Sequence, residues 1–359
     1  MVQPLRARVG HRGRRAAHRA LPRQPDEGCG VVSRVWQVVR HGAPSDALEL
    51  GDRSIPEPGP GELVVRTRAV ALNFPDVLLC RGEYQVRPEL PFPPGIEACG
   101  EVVAVGSDAP ESAAFAIGDR VVGSRIGTLA EHAVLDAAVT FPAPDALSDA
   151  EASGLIIAYQ TAYVALHRRA QLQPGETVLV HAAAGGVGTA AVQLAKAAGA
   201  RVIGVVSSPA KAEVARACGA DEVVDRTSED VIGRVKELAG RGVDVVFDPV
   251  GGDAFDQSTK VIAFEGRIVV VGFAGGRMQE VKPNHALVKN YSVLGLHWAL
   301  YNQFRPDLVR EAHEELTRLA AEGLFRPVIG EQVGFADAPE ALDRLAAGAT
   351  VGRSVVLVD

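Results

Sequence analysis

Cysteine is scarce in this chain, with four residues at positions 29, 80, 99 and 218 and no C-x-x-C pair among them. That spacing excludes a disulfide framework and a thiolate zinc cluster, and a reducing cytoplasmic setting is expected. Long apolar runs are missing too. Although 47% of the 359 residues are hydrophobic, enough for two domains with their own cores, no uninterrupted stretch reaches membrane-spanning length, so no membrane partner is expected. Excess positive charge is confined to one place. Residues 1–34 carry eight arginines against Asp26 and Glu27, a formal +6, which against −7 for the whole chain leaves −13 for the rest. So acidic a body argues against nucleic-acid binding. The arginine-rich segment reads as a disordered leader, with structure expected to begin near Val35. Its acid-poor, Arg- and Ala-rich composition also suits a transit peptide or a polyanion-binding arm, but it has few serines and no hydrophobic face.

What the chain has is a β run that turns through small residues straight into a helix, from Thr177 to Lys196. A strict G-x-G-x-x-G is absent because Ala183 stands at the first position. Gly185 and Gly188 hold the other two, and Gly186 removes one more side chain. Ala184, Gly185, Gly186, Val187 and Gly188 are the candidate phosphate loop, opening a helix expected near Thr189. Repeating units follow. Strands are expected at 201–206, 222–225, 243–248 and 267–271, with helices over 209–218 and 228–239. Near-continuous β-branched strands separated by helices predict a parallel sheet covered on both faces. The fold class is therefore α/β, with a doubly wound Rossmann domain over residues 156–295.

The end of the second strand lacks the acid that would bind a ribose 2′-hydroxyl about 20 residues after the glycines. Ser207 and Ser208 stand there instead, Lys211 follows within one helical turn, and Arg226 comes after the third strand. Two hydroxyls and two cations suit a 2′-phosphate, so NADPH is the expected cofactor. Upstream, the strand-like runs Val35–Val39, Glu62–Arg68, Gly100–Gly106 and Asp119–Gly123 predict a β-rich domain.

Eight motifs occur in a fixed order: Leu72-Asn-Phe-Pro-Asp-Val77, Arg81-Gly-Glu-Tyr84, Pro93-Pro-Gly-Ile-Glu97, Gly118-Asp-Arg-Val121, Gln160-Thr-Ala-Tyr163, Ala183 to Gly188, Phe247-Asp-Pro-Val-Gly-Gly252 and Gly266-Arg-Ile-Val269. Together they resemble the zinc-independent quinone oxidoreductase branch, zeta-crystallin-like, of the medium-chain dehydrogenase/reductase superfamily. Lys289-Asn-Tyr-Ser-Val-Leu-Gly-Leu-His-Trp298 resembles its quinone oxidoreductase-like subgroup. The resemblance implies a GroES-like catalytic domain over 35–155, completed by 296–359, around the Rossmann domain. It also implies that Val250, Gly272, Phe273, Leu296 and Trp298 join the cofactor site. Dimerisation would pair edge strands near Tyr291 to Leu296.

The superfamily also holds zinc alcohol dehydrogenases, whose catalytic ligands correspond here to Asn73, Ile96 and about Ile157. None of these completes a zinc site, and no cysteine lies between Val121 and Val134 to build a structural one, so no metal is expected. The same resemblance places Asn73 and Asp76 at the cleft, makes Tyr84 a proton donor, and puts Thr161 near the nicotinamide. Each has a structural alternative as a turn cap, a pocket wall or a helix-packing residue. Cys80, Cys99 and His181 read as packing residues. One departure stands out: an arginine that family members place near the C-terminus for the 2′-phosphate is Gly348 here, with Arg226, in place of a frequent family tyrosine, as the expected compensation and Arg353 as a second candidate. The implied activity is NADPH-dependent hydride transfer to an electrophilic small molecule, a quinone or an α,β-unsaturated carbonyl. An enoyl-thioester reductase and a cofactor-binding protein with little catalysis remain as alternatives.

Overall fold

The computed structural model describes residues 32–108 and 114–359, so most of the arginine-rich leader lies outside the described residues. Strand β1 (Val32–Val38) pairs antiparallel with β2 (Leu48–Ser54). It begins three residues ahead of Val35, because Ser33 and Arg34 extend the strand by polar contacts that carry no apolar signal. Ser33 Oγ lies 3.1 Å from His132 Nδ1, and Arg34 pairs with Glu131 at 2.6 Å.

The catalytic body is built on β3 (Glu62–Ala71), β4 (Ala98–Val105), β5 (Arg120–Gly123), β6 (His132–Asp136) and β7 (Thr140–Pro142). The last two strands of the chain, β14 (Ile329–Gly334) and β15 (Arg353–Leu357), close the same sheet, whose order is β14-β15-β3-β4-β5-β7 with β6 on β3. Antiparallel pairing of β15 with β3 sets Val355 opposite Ala71 and Leu357 opposite Ala69. Residues 353–357 therefore lie beside the segment that leads into Asn73.

The second sheet holds β8 (Thr177–His181), β9 (Arg201–Val206), β10 (Glu222–Asp225), β11 (Val243–Asp248), β12 (Ile262–Val270) and β13 (Ser292–Gly295). All neighbours are parallel, in the order β10-β9-β8-β11-β12-β13. This is the doubly wound Rossmann order, with the strand sequence reversing between β8 and β11. Both faces are buried, which the side-chain alternation makes visible. Val178 and Val180 enter one apolar cluster with Val202 and Phe247, while Leu179 enters another with Ile203, Val246 and Ile268. Strands with two buried faces need apolar residues at every position, as the unbroken runs implied.

Several boundaries move. The helix after β8 runs Gly186–Ala197, three residues earlier than expected, because Ala182 takes φ +50° and absorbs the turn, freeing the glycines to be helical. The next helices are Pro209–Ala217, capped by Ser208, and Val231–Leu238, which starts late because the Asp230 side chain accepts from the Ile232 and Gly233 amides. A helical segment over 149–169 contains two π-helical stretches, Leu155–Gln160 and Val164–Arg169, around Thr161–Tyr163. Among the described residues no helix is long and apolar enough to cross a membrane.

Candidate active site

At the C-terminal end of β8, Gly185 is the N-cap of the Gly186–Ala197 helix and no side chain caps it. The first-turn amides of Gly186, Val187 and Gly188 thus present donors at the positive end of the helix, an arrangement that favours an anion. The glycines serve different ends. A Cβ on Gly188 would fall on the Ala182 carbonyl, and one on Gly186 would lie 2.8 Å from Arg353 Cδ, so both are demanded by packing. At Gly185 the nearest atom stands 3.4 Å away, so the protein itself leaves room for a side chain there. A pyrophosphate approaching the backbone would account for its absence. The Gly352 amide donates to the Ala184 carbonyl at 2.7 Å and ties the C-terminal segment to this loop.

Past the end of β9, Ser208 Oγ accepts from the Lys211 amide and Lys211 Nζ stands 3.4 Å from Ser207 Oγ. Arg226 is exposed, and its amide donates to the Val206 carbonyl at 3.0 Å. The neighbouring carboxylate, Asp225, is turned to the amide and hydroxyl of Thr227. Ser207, Ser208 and Lys211 come together, and Arg226 follows the adjacent strand with its backbone bonded to Val206. Lys211 Nζ also donates to the Gly348 carbonyl at 2.7 Å, a tie that sequence did not suggest.

On the other side of the switch point, Asp248 Oδ1 accepts from the Val250 and Gly251 amides at 2.9 and 2.8 Å. The Gly275 amide donates to the Val250 carbonyl, so the loops after β11 and β12 are interlocked, with Gly272 and Phe273 half-buried between them. Leu296 and Trp298 are almost wholly buried in the apolar cluster that holds Leu155, Tyr159 and Phe325, and the Trp298 indole N–H has no hydrogen-bond partner among the described residues.

Against the glycine loop, at Arg353, lies a polar cluster assembled from four distant segments. Asn73 caps the Phe74–Arg81 helix, and its amide donates to Asp76 Oδ2 at 2.8 Å, while the Gly95 amide donates to Asp76 Oδ1 at 3.1 Å. The Asn73 side chain donates to Glu97 Oε1 at 2.8 Å and accepts from Arg353 Nη1 at 2.9 Å. Arg353 Nη2 pairs directly with Glu97 Oε1, and the Ile157 amide donates to Glu97 Oε2 at 2.8 Å. Burial pushes the Asp76 carboxyl up to about 7, aided by the Glu97 charge and opposed by the Asn73 and Gly95 amides and by Arg353. Burial also raises Glu97, against the pull of Arg353.

Two expectations are corrected here. Asp76 is fully buried with both oxygens bonded to backbone, so it holds the loop and does not contact a substrate. Arg353 points into this cluster and cannot stand in for the missing 2′-phosphate arginine. Asn73 is 4% exposed, its amide shared between Glu97 and Arg353, which makes it a positioning group. Glu97 and Arg353 were missed as site residues. The signal available was an acid closing the Pro-Pro-Gly-Ile-Glu motif and an arginine beginning an apolar C-terminal strand, each of which needs a partner if buried.

Tyr84 is half-buried against the apolar cluster of the catalytic body, and burial together with the Asp76 charge raises its phenol, so the hydroxyl keeps its proton at neutral pH. Thr161 sits between the two π-helical stretches with 8% of its surface exposed. Cys80 and Cys99 are buried thiols each pushed up to about 12, and His181 is buried against Ser258 Oγ at 2.8 Å.

The residues at the zinc-ligand positions do not fit a metal. The Asn73 amide is fully engaged, Ile96 is buried and apolar, and Ile157 offers its backbone to Glu97. Among the described residues no group of three His, Cys, Asp or Glu side chains could hold an ion.

Residues 186–314 match the family model described as zinc-binding dehydrogenase, and residues 59–145 match the alcohol dehydrogenase GroES-like domain. The quinone oxidoreductase-like protein 2 homolog of Nematostella vectensis is 40% identical over 303 residues, spanning 83% of this chain and 82% of that protein. A quinone oxidoreductase of Pseudomonas aeruginosa is 37% identical over 332 residues, 89% of this chain and 98% of its own. Among solved structures, a mycobacterial protein complexed with NADPH is similar at a TM-score of 0.84 and 34% identity, covering 90% of this chain and 99% of that one.

Proposed function

Because the chain belongs to the quinone oxidoreductase-like branch of the medium-chain dehydrogenase/reductase superfamily, we propose that it is a zinc-independent, NADPH-dependent reductase of quinones or α,β-unsaturated carbonyls. The observation that carries this is the pairing of an uncapped helix N-terminus at Gly185 with two serines and a lysine gathered beyond β9, and with the exposed Arg226 after β10. The nicotinamide of the bound cofactor supplies a hydride. The amides of Gly186, Val187 and Gly188 hold the pyrophosphate, and Ser207, Ser208, Lys211 and Arg226 hold the 2′-phosphate. Val250, Gly272 and Phe273 line the nicotinamide end, with Thr161 approaching from the catalytic side. The Asn73–Glu97–Arg353 cluster keeps this side of the glycine loop rigid.

A donor set that cannot hold zinc leaves nothing to polarise an alcohol oxygen, whereas an electron-poor acceptor takes hydride unaided. Tyr84, which retains its proton, favours enones within that class, since an enolate needs a proton donor. The free edge of the Rossmann sheet at β13 supports a homodimer formed by edge pairing, and the cytoplasm is the proposed location. Following NADPH oxidation with a panel of quinones and enones, before and after chelator treatment, tests the whole reading. Turnover that survives the chelator is expected. No consumption with any acceptor, or activity that depends on one bound zinc, would overturn it.

A further inference from the structure

Among the contacts between the catalytic body and the cofactor body is a charged one beyond β9. The helix Ala338–Ala346 ends at Ala347, and Gly348 follows in the left-handed region at φ +64°. The Gly348 amide donates to the Leu345 carbonyl and the Ala349 amide to the Arg344 carbonyl, both at 3.0 Å. These are the paired bonds by which a left-handed glycine closes a helix. The Gly348 carbonyl is free of that ladder and accepts from Lys211 Nζ at 2.7 Å, with Ser207 Oγ 3.4 Å from the same nitrogen. Lys211 makes no ion pair with a carboxylate among the described residues.

A lysine has four rotatable bonds and loses much rotamer freedom when its head is fixed. A carbonyl at the negative end of a helix attracts an ammonium and does that fixing in advance. We propose that Gly348 is a specificity-determining positioning residue, whose carbonyl seats the Lys211 ammonium beside Ser207 to receive the 2′-phosphate of NADPH. The inference rests on the reading of Ser207, Ser208, Lys211 and Arg226 as the phosphate site. An ammonium has three donors. Two are taken by Ser207 and Gly348, and the third serves the phosphate. Cofactor preference is then set by a helix cap in the other body, and NADH, which carries no phosphate there, does not sense it.

Calorimetric titration of NADPH and NADH into the full chain and into Gly348→Val, Gly348→Asn, Lys211→Ala and the Lys211→Ala/Gly348→Val pair tests this. A Cβ at Gly348 meets nothing within 4 Å, so the strain in valine comes chiefly from the left-handed backbone, which asparagine tolerates. Gly348→Val should weaken NADPH roughly three- to tenfold, the worth of one oriented hydrogen bond, and NADH by less than about twofold. Gly348→Asn should keep the original preference, and in the Lys211→Ala background valine should add nothing. Tighter or unchanged NADPH binding in Gly348→Val overturns the seat, as does an equal loss for both cofactors or a full effect of valine without Lys211. Equal affinity of the unaltered protein for NADPH and NADH defeats the phosphate-site reading itself and the inference with it. A strong NADPH preference untouched by valine defeats the seat alone.

Discussion

Arg353 and Glu97 stand 256 residues apart in the chain and form a buried ion pair. Asn73 bonds to both partners, so three segments of the catalytic body are locked by one guanidinium. Removing one member of a buried pair leaves the other charge without compensation, at a cost of about 3–5 kcal/mol. Glu97→Leu is therefore expected to lower the unfolding free energy by that amount in a urea titration. The double change Glu97→Leu/Arg353→Met should recover much of the loss, because an apolar pair of similar volume needs no partner. A double variant as unstable as the single one would refute this account.

Asp76 gives the stability a distinct pH signature. Its carboxyl titrates near 7 in the folded protein, raised from 3.8, chiefly by burial. The folded state holds this proton more tightly than the unfolded chain, so the contribution is complete below pH 4 and is lost as pH rises through 7. Such a rise corresponds to on the order of 4 kcal/mol. His313, lowered by burial to about 4, acts in the opposite sense between pH 4 and 6.5, so the test must be differential. Relative to Asp76→Asn, the unaltered protein should lose stability steadily from pH 4.5 to 8. A difference independent of pH would show that Asp76 does not titrate.

Lys211→Ala should weaken NADPH at least about tenfold, 1.4 kcal/mol, and leave NADH nearly unchanged. Added salt should narrow the preference of the unaltered protein, because the phosphate site is open to solvent on the Arg226 side. Parallel titrations at low and high ionic strength check both statements, and an NADPH preference indifferent to Lys211 and to salt would point to a different site.

Tyr84→Phe separates the two substrate classes. Enone reduction needs hydride at the β-carbon and a proton at the enolate, to which a positioned phenol contributes on the order of 10²-fold. A hydroquinone anion is far less basic and takes its proton from water. The variant should thus lose kcat on enones much more than on quinones, with NADPH affinity intact. Equal losses together with weaker cofactor binding would make Tyr84 a structural residue.

The start of β1 sets where the chain can be shortened. Deleting residues 1–31 should leave the melting temperature unchanged. Deletion through Arg34 strips the contacts of Ser33 with His132 and of Arg34 with Glu131, and each lost hydrogen bond is worth about 1 kcal/mol. A fall of several degrees in a thermal scan is expected for the longer deletion only. The same drop for both would show that residues before Val32 support the body.

Local chemistry made much of this readable in advance. The β-branched runs of β8, β9 and β11 could only be strands with two covered faces, and the glycines at 185–188 could only be a close turn into a helix. Ser207, Ser208 and Lys211 are within one turn of each other, so their convergence followed from sequence spacing alone. The helix start at Gly186 was misplaced because Ala182, with nothing in its identity to say so, takes the left-handed angle.

By itself, then, the amino-acid sequence determined the parallel sheet, the glycine turn into the helix and the serines in place of a carboxylate at the end of β9, each of which is written within a short stretch of chain. Only the tertiary structure decided that Glu97 meets Arg353, that Asp76 is sealed from solvent, and that Lys211 is seated by Gly348. Those relationships join segments 19 to 256 residues apart. A charge announces that it needs a partner, but which partner the sheet register delivers is settled only when β15 returns to lie against β3.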